Sequence, residues 1–225
     1  MYAYFGALAV GYILLAYIRS GGFDEESILN DAVNLFAFLP ALAGGFLFTA
    51  IYTDDLNAKN LTTLVGYGLS KTKIVFAKFI IVLLFVTICF GLVPLFHFAV
   101  YTTLGCAVTL GVMAMVYLIL FKFLLMTLAF TVFSSIAVFG LQCATFAMVT
   151  YILFAFNIIN FMLTAAGNAL KINLGGHLLS GVTDRIITGI TTGNSLTSPL
   201  IQYAAYIIAA AALSAIVFHK KEMEF

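Results

Sequence analysis

The stretch Ile74–Asn160, IVFAKFIIVLLFVTICFGLVPLFHFAVYTTLGCAVTLGVMAMVYLILFKFLLMTLAFTVFSSIAVFGLQCATFAMVTYILFAFNIIN, carries two charges, Lys78 and Lys122. A water-soluble core has no use for so long an apolar run. A helix crosses a bilayer with about 20 apolar residues, so the stretch has room for three or four crossings. Inside lipid only helices and closed barrels satisfy every backbone amide, and the run lacks the alternation of a barrel strand. The expectation is an all-α integral membrane chain.

Composition agrees. The chain is 64% hydrophobic and 8% charged, against roughly 45–50% and 25% for soluble domains. Counting the apolar segments leaves no room for a soluble domain. The net charge of +1 comes without a basic arm or stacking motif, so nucleic acid is not an expected partner. The three cysteines, Cys89, Cys106 and Cys143, are scattered in apolar surroundings. They suit small packing residues rather than a disulfide framework or a metal site.

Six spans emerge at about 2–18, 31–52, 74–96, 106–133, 136–160 and 199–218. The first lacks the basic start and clear cleavage site of a signal peptide, so it is kept as a span. Pro94 is expected to close the third span, and Ser134–Ser135 to form a tight turn between the fourth and fifth. Lysines gather after span two (Lys59, Lys71, Lys73, Lys78) and in the tail (Lys220, Lys221), whereas Asp24, Glu25 and Glu26 follow span one beside Arg19. Basic residues accumulate on the cytoplasmic side, and only six spans put both lysine groups there. Both termini are then cytoplasmic.

The polar segment 53–73 lies between spans two and three. Thr53 is placed to cap a short helix with Asp54 and Asp55 in its first turn, where acids suit the helix dipole. Leu56, Leu61, Leu64 and Val65 give it an uneven apolar side, Gly66 and Gly68 end it, and Ser70 is placed to cap the next helix. A plain interfacial anchor is one reading of such an element.

The order of acidic short helix, Gly68-Leu69-Ser70-Lys71, and an apolar helix opened by Ala77-Lys78 resembles the inner loop of ABC-2 type transporter permeases. The resemblance extends to six spans, a long segment at 161–198 before the last of them, and the ending VFHKKEMEF. Two departures stand out. Family members begin with a basic amphipathic helix where this chain starts in apolar residues, and many carry a glycine where this chain has Asn60.

The resemblance implies a type V exporter-like permease fold in a bacterial plasma membrane. The chain would be a non-catalytic subunit moving a hydrophobic or amphipathic substrate outward, surrounded by membrane lipid. It implies two partners: a separate cytoplasmic ABC ATPase, which would hold ATP and Mg, and a second permease, identical or a paralogue. The chain itself has no Gly-Lys dipeptide and so no Walker A loop, and no cofactor or metal is expected in it. Asp54, Asp55, Leu56, Lys59, Asn60, Leu61 and Leu64 would form the ATPase-coupling helix. Peptide export, as for cytolytic peptides or bacteriocins, is the preferred activity, with drug, lipid or ion as alternative substrates. The nearest members in size and style are exporters of phenol-soluble modulins and lantibiotic immunity pumps.

Four polar residues within the spans are candidates for a translocation path. Lys122 is costly at mid-bilayer, which favours a protein-lined or wet place, unless it snorkels to a surface. Gln142, Asn157 and Asn160 either line the path or bond a neighbouring helix. His97 is read as an interface histidine. Leu174, Leu178, Val182, Ile186 and Ile190 repeat in steps of four, with Asp184, Arg185 and Thr188 off the stripe, so 174–190 is expected as an amphipathic helix over the outer mouth. Competing functions are an ATP-independent channel or secondary transporter and, much less favoured, an intramembrane enzyme using His177 and Ser180.

Overall fold

The computed structural model describes residues 11, 25–57, 60–103, 105–172 and 174–220. Apart from Gly11, the expected first span lies outside the described residues, as do Arg19, Asp24, Lys59 and Lys221. Every regular element among the described residues is helical. In chain order these are α1 (Glu25–Ala37), α2 (Ala43–Phe48), a π-helical turn (Thr49–Thr53), α3 (Asp54–Asn57) and α4 (Asn60–Gly66). Then come α5 (Lys71–Thr103), α6 (Leu110–Leu141), α7 (Ala144–Ala155), α8 (Ile158–Ala169), a 3-10 turn (Gly175–His177), α9 (Leu179–Thr192) and α10 (Thr197–Lys220). Three of them, α5, α6 and α10, are long and apolar enough to cross a membrane. The pair α7 and α8, bent by 65°, adds a fourth crossing if it counts as one.

The outward surface explains why water is the wrong solvent. Phe76, Ile80, Leu84, Ile88 and Leu95 all stand exposed on α5. A helix apolar on every side belongs in a core or in lipid, and α5 is not enclosed by protein.

The helix ends differ from the sequence expectation at two places. α5 runs through Pro94 to Thr103. Proline removes one helical hydrogen bond, but a helix with few competing partners around it keeps the rest and continues. α6 likewise runs through Ser134–Ser135 to Leu141. The Ser135 hydroxyl donates to the Val132 carbonyl at 2.7 Å and meets the Ser214 hydroxyl of α10 at 2.9 Å, so this serine joins helices instead of turning the chain. The break falls at Gln142, which takes a left-handed φ of 51°.

The expected span 31–52 is a broken element. α1 closes in a turn around Pro40, whose carbonyl accepts the Tyr151 hydroxyl at 2.6 Å. α2 then packs closely on α7 and α6. A Cβ at Gly44 would run into the Tyr151 hydroxyl and, at 2.8 Å, the Thr127 methyl, so only glycine fits there.

Two polar clamps fix how this element lies against α5. Tyr101 donates to the Asp31 carboxylate at 2.5 Å, and Lys78 pairs with Asp55. The two chains therefore run antiparallel, with Asp31 beside the Thr103 end of α5 and Asp55 beside its Lys71 end. At 1.5 Å per residue, Lys78 and Tyr101 are about 35 Å apart along the helix, close to the roughly 30 Å of a bilayer's hydrocarbon.

α6 is the central helix: α1, α5, α7, α9 and α10 all pack on it. Phe90, near the midpoint between the two clamps, meets Tyr117 and Phe121 of α6 at centroid distances of 5.3 and 6.1 Å. α10 runs parallel to α6, joined by Tyr203 donating to the Leu125 carbonyl (2.7 Å) and by the Ser135–Ser214 contact. Lys71 donates to the His219 carbonyl at 3.4 Å, so two lysine-bearing segments, at Lys71 and Lys220, meet at one end of the bundle.

Candidate functional site

The polar segment at that basic end is built as two short helices. Thr53 does not cap α3: its hydroxyl donates back to the Thr49 carbonyl at 2.9 Å, and the π turn passes straight into the helix. A π turn frees carbonyls from their usual partners. One of them, on Ile51, accepts from Lys78 Nζ at 2.6 Å, and the same ammonium pairs with Asp55. Asn60 adds a bond from its amide to the other Asp55 oxygen at 3.1 Å. Asp55, Asn60 and Lys78 thus join α3, α4 and α5 at one point.

Three leucines of the segment, Leu56, Leu61 and Leu64, face inward. Leu61 is 5% exposed, within a core that includes Ile74, Val75 and Phe218, and Leu56, Leu64 and Val65 pack against that core. Leu61 is thereby spent on the chain's own core, while Leu56, Leu64 and Val65 keep part of their surface uncovered. The exposed part is Asp54, Asn60 and the turn that follows α4. Gly68 there has φ +84°, a backbone state that favours glycine, and Ser70 accepts from the Lys73 amide at 3.4 Å. Beside it Tyr67 is 83% exposed and Leu69 43%. Sequence reasoning passed over this pair, although a tyrosine next to two glycines in a polar turn marks an apolar group with no core to enter.

The second polar group lies along α6. Lys122 Nζ pairs with the Asp184 carboxylate of α9 at 2.6 Å. Lys122 follows Phe121, so it sits near the midpoint between the clamps. α9 buries Leu179, Val182 and Ile186 on α6 and α10 and lies beside them, not across their ends. The expected stripe holds in part: Val182 and Ile186 are buried, Ile190 is 39% exposed, and Leu174 and Leu178 precede the helix. Its position differs because Asp184 and Arg185, the residues off that stripe, find partners along the helix sides. Arg185 donates to the Gln202 side-chain oxygen at 2.5 Å, and Gln202 in turn donates to Tyr206 at 2.7 Å. The Tyr206 hydroxyl donates to the His177 carbonyl at 2.8 Å, and the His177 ring meets the Gln202 amide at 3.4 Å.

Asn157 and Asn160 come together at the bend between α7 and α8. Asn157 has φ 62°, the left-handed state that asparagine tolerates, and accepts from the Asn160 amide at 2.5 Å. Both line an open cleft of about 490 Å³ with Phe156, Ile158, Phe161, Thr164 and Ser180. Gln142 is at the end of α6 and takes no part in this cleft. The structure thus separates the four path candidates into an ion pair, a cleft at a bend, and a helix end. His97 is buried, packed against Phe36 and Tyr101. No group of three metal-ligating side chains occurs among the described residues.

The bend gives a measurable expectation. Asn157→Gly keeps the left-handed turn, whereas Asn157→Ala costs roughly 1 kcal/mol more for the same backbone. Thermal unfolding in detergent should place the alanine variant below the glycine one; the reverse order would mean that φ does not limit this position.

No protein-family model, curated protein or solved structure matches this chain.

Proposed function

We propose that the chain is the permease subunit of an ABC exporter, with segment 53–73 receiving a separate cytoplasmic ATPase. One observation carries this reading: a short helical element stands between the broken segment that ends in the π turn and the long apolar α5, is tied to α5 by the Asp55–Lys78 pair while the same lysine bonds the Ile51 carbonyl of the turn, and leaves Tyr67 and Leu69 uncovered. A push on such an element passes directly into α5 and into the α1–α3 segment. The meeting of Lys71 with the end of α10 supports a common cytoplasmic side for both basic segments. In this reading six spans, with both termini inside, form one half of a dimeric pathway in a bacterial plasma membrane, and the cargo is an amphipathic or hydrophobic molecule such as a peptide.

The experiment is extraction of the tagged chain, expressed with its neighbouring genes, in a gentle detergent, followed by identification of co-purifying proteins. A stoichiometric P-loop ATPase is expected. The variant carrying Tyr67→Glu and Leu69→Glu should weaken its retention at least about tenfold without lowering the unfolding temperature, because exposed anchors contribute to binding and not to the core. Leu61→Glu reads folding instead, since it buries a charge. Recovery of this chain without an ATPase under every condition would sink the proposal.

A specific pair of observations favours a second reading, an ion-coupled secondary transporter. Such proteins use broken helices and charges within the membrane, and this chain has the 65° bend and the Lys122–Asp184 pair. Transport in vesicles driven by an ion gradient without ATP would select it.

A further inference from the structure

Asp184 of α9 stands between two cations, Lys122 of α6 and its own neighbour Arg185, and pairs with the first. Arg185, the next residue, points elsewhere, because successive helix positions do not share a face. Its side-chain partner is the neutral Gln202, and no carboxylate pairs with it among the described residues. Its Nε is buried without a hydrogen-bond partner among the described residues. Gln202 precedes Tyr203, which bonds the Leu125 carbonyl, so this guanidinium sits by the second turn of α10, close to the level of Lys122 and beside the exposed His177.

A half-buried guanidinium with no carboxylate paired to it among the described residues is costly unless an anion or water meets it. Its surroundings are arranged to receive something. Gln202 is held by Tyr206 with its oxygen turned to Arg185, and exposed His177 stands beside the same amide. Long apolar side chains, Ile201 and Ile208 among them, are exposed on the same helix.

We infer that Arg185, with Gln202 and His177, binds the single anionic head group of an amphiphile, a carboxylate or a phosphate on an apolar tail. The guanidinium fork matches either oxyanion, and the tail takes the place of lipid along α10. The site goes beyond the exporter reading and needs no ATPase, so its failure would leave that reading untouched.

The test uses the full chain purified in dodecyl maltoside, a neutral detergent. Dodecanoate and dodecyl phosphate are titrated by calorimetry, with dodecyltrimethylammonium and inorganic phosphate as comparators. Both anionic amphiphiles should bind saturably, with one site per chain, and at least about tenfold more weakly to Arg185→Gln, the scale of a lost charged hydrogen bond. Whichever of the two binds more tightly to the unaltered chain assigns the source: carboxylate-ended guest or phospholipid head. Should Arg185→Gln not fold, Gln202→Glu supplies a built-in counter-ion; it should raise the unfolding temperature and abolish anion binding. Equal binding of the cationic comparator, binding of inorganic phosphate as tight as that of the amphiphiles, or undiminished binding to Gln202→Glu would each overturn the inference.

Discussion

Lys78→Met should lower the stability of the chain by on the order of 3 kcal/mol, read as a drop in its unfolding temperature in detergent, because one substitution removes two partners at once. It strands the Asp55 carboxylate and leaves the Ile51 carbonyl of the π turn without its donor. Asp55→Asn keeps the shape and loses the charge, so it strands Lys78 in the same place. The doubly substituted chain, Lys78→Met with Asp55→Asn, should lose less than the two single losses added together, since neither partner is left charged and alone. Additive losses would mean that the two side chains do not act on one another. In the exporter reading this pair is the joint between the cytoplasmic element and α5. A chain that folds with the joint neutralised should then insert normally and transport poorly.

The second large effect is expected at Lys122 and Asp184. Lys122→Leu alone leaves the Asp184 carboxylate unpaired against the apolar side of α6, while Lys122→Leu with Asp184→Leu removes both charges and lets α9 pack on α6 through apolar contact. The pair is only partly covered by protein, with side-chain exposures of 33% and 55%, so the single change should cost on the order of 2 kcal/mol, and the double change should recover most or all of it. Thermal unfolding of the three proteins decides the matter. If Lys122→Leu is harmless, the lysine reaches a wet surface and the pair contributes little. A transport assay on the double variant adds a separate result: loss of activity in a stable protein would place the charges in the working cycle, and retained activity would confine them to holding α9.

How much of this was legible beforehand depends on the range of the interaction. α5, α6 and α10 follow from apolar runs too long for anything else, and the stop at Gly66 and Gly68 from backbone freedom that is local to the residue. Pro94 and Ser134–Ser135 misled because their usual meaning, a helix end or a turn, is set in water. In an apolar setting the same residues sit inside helices, and the breaks move to Gln142 and Asn157, which take left-handed backbone. The inward set of Leu61 and the pairing of Lys122 with Asp184 depend on which helices become neighbours, and a helical stripe gives a face but not the partner that covers it. For the same reason α9 was recognisable as amphipathic while its place beside α6 was not.

The central position of α6 has a consequence for how the chain tolerates change. From Met126 to Val132 every side chain is buried, on all sides of the helix, because different neighbours cover each face. α5 has one packed side and a broad apolar exterior. Random substitution should therefore leave a pattern with a period near 3.6 along α5, where any oily residue serves outside. Along the middle of α6 the pattern should vanish, with nearly every replacement rejected. Drift in this protein would then be channelled to its rim, while its axis stays almost fixed.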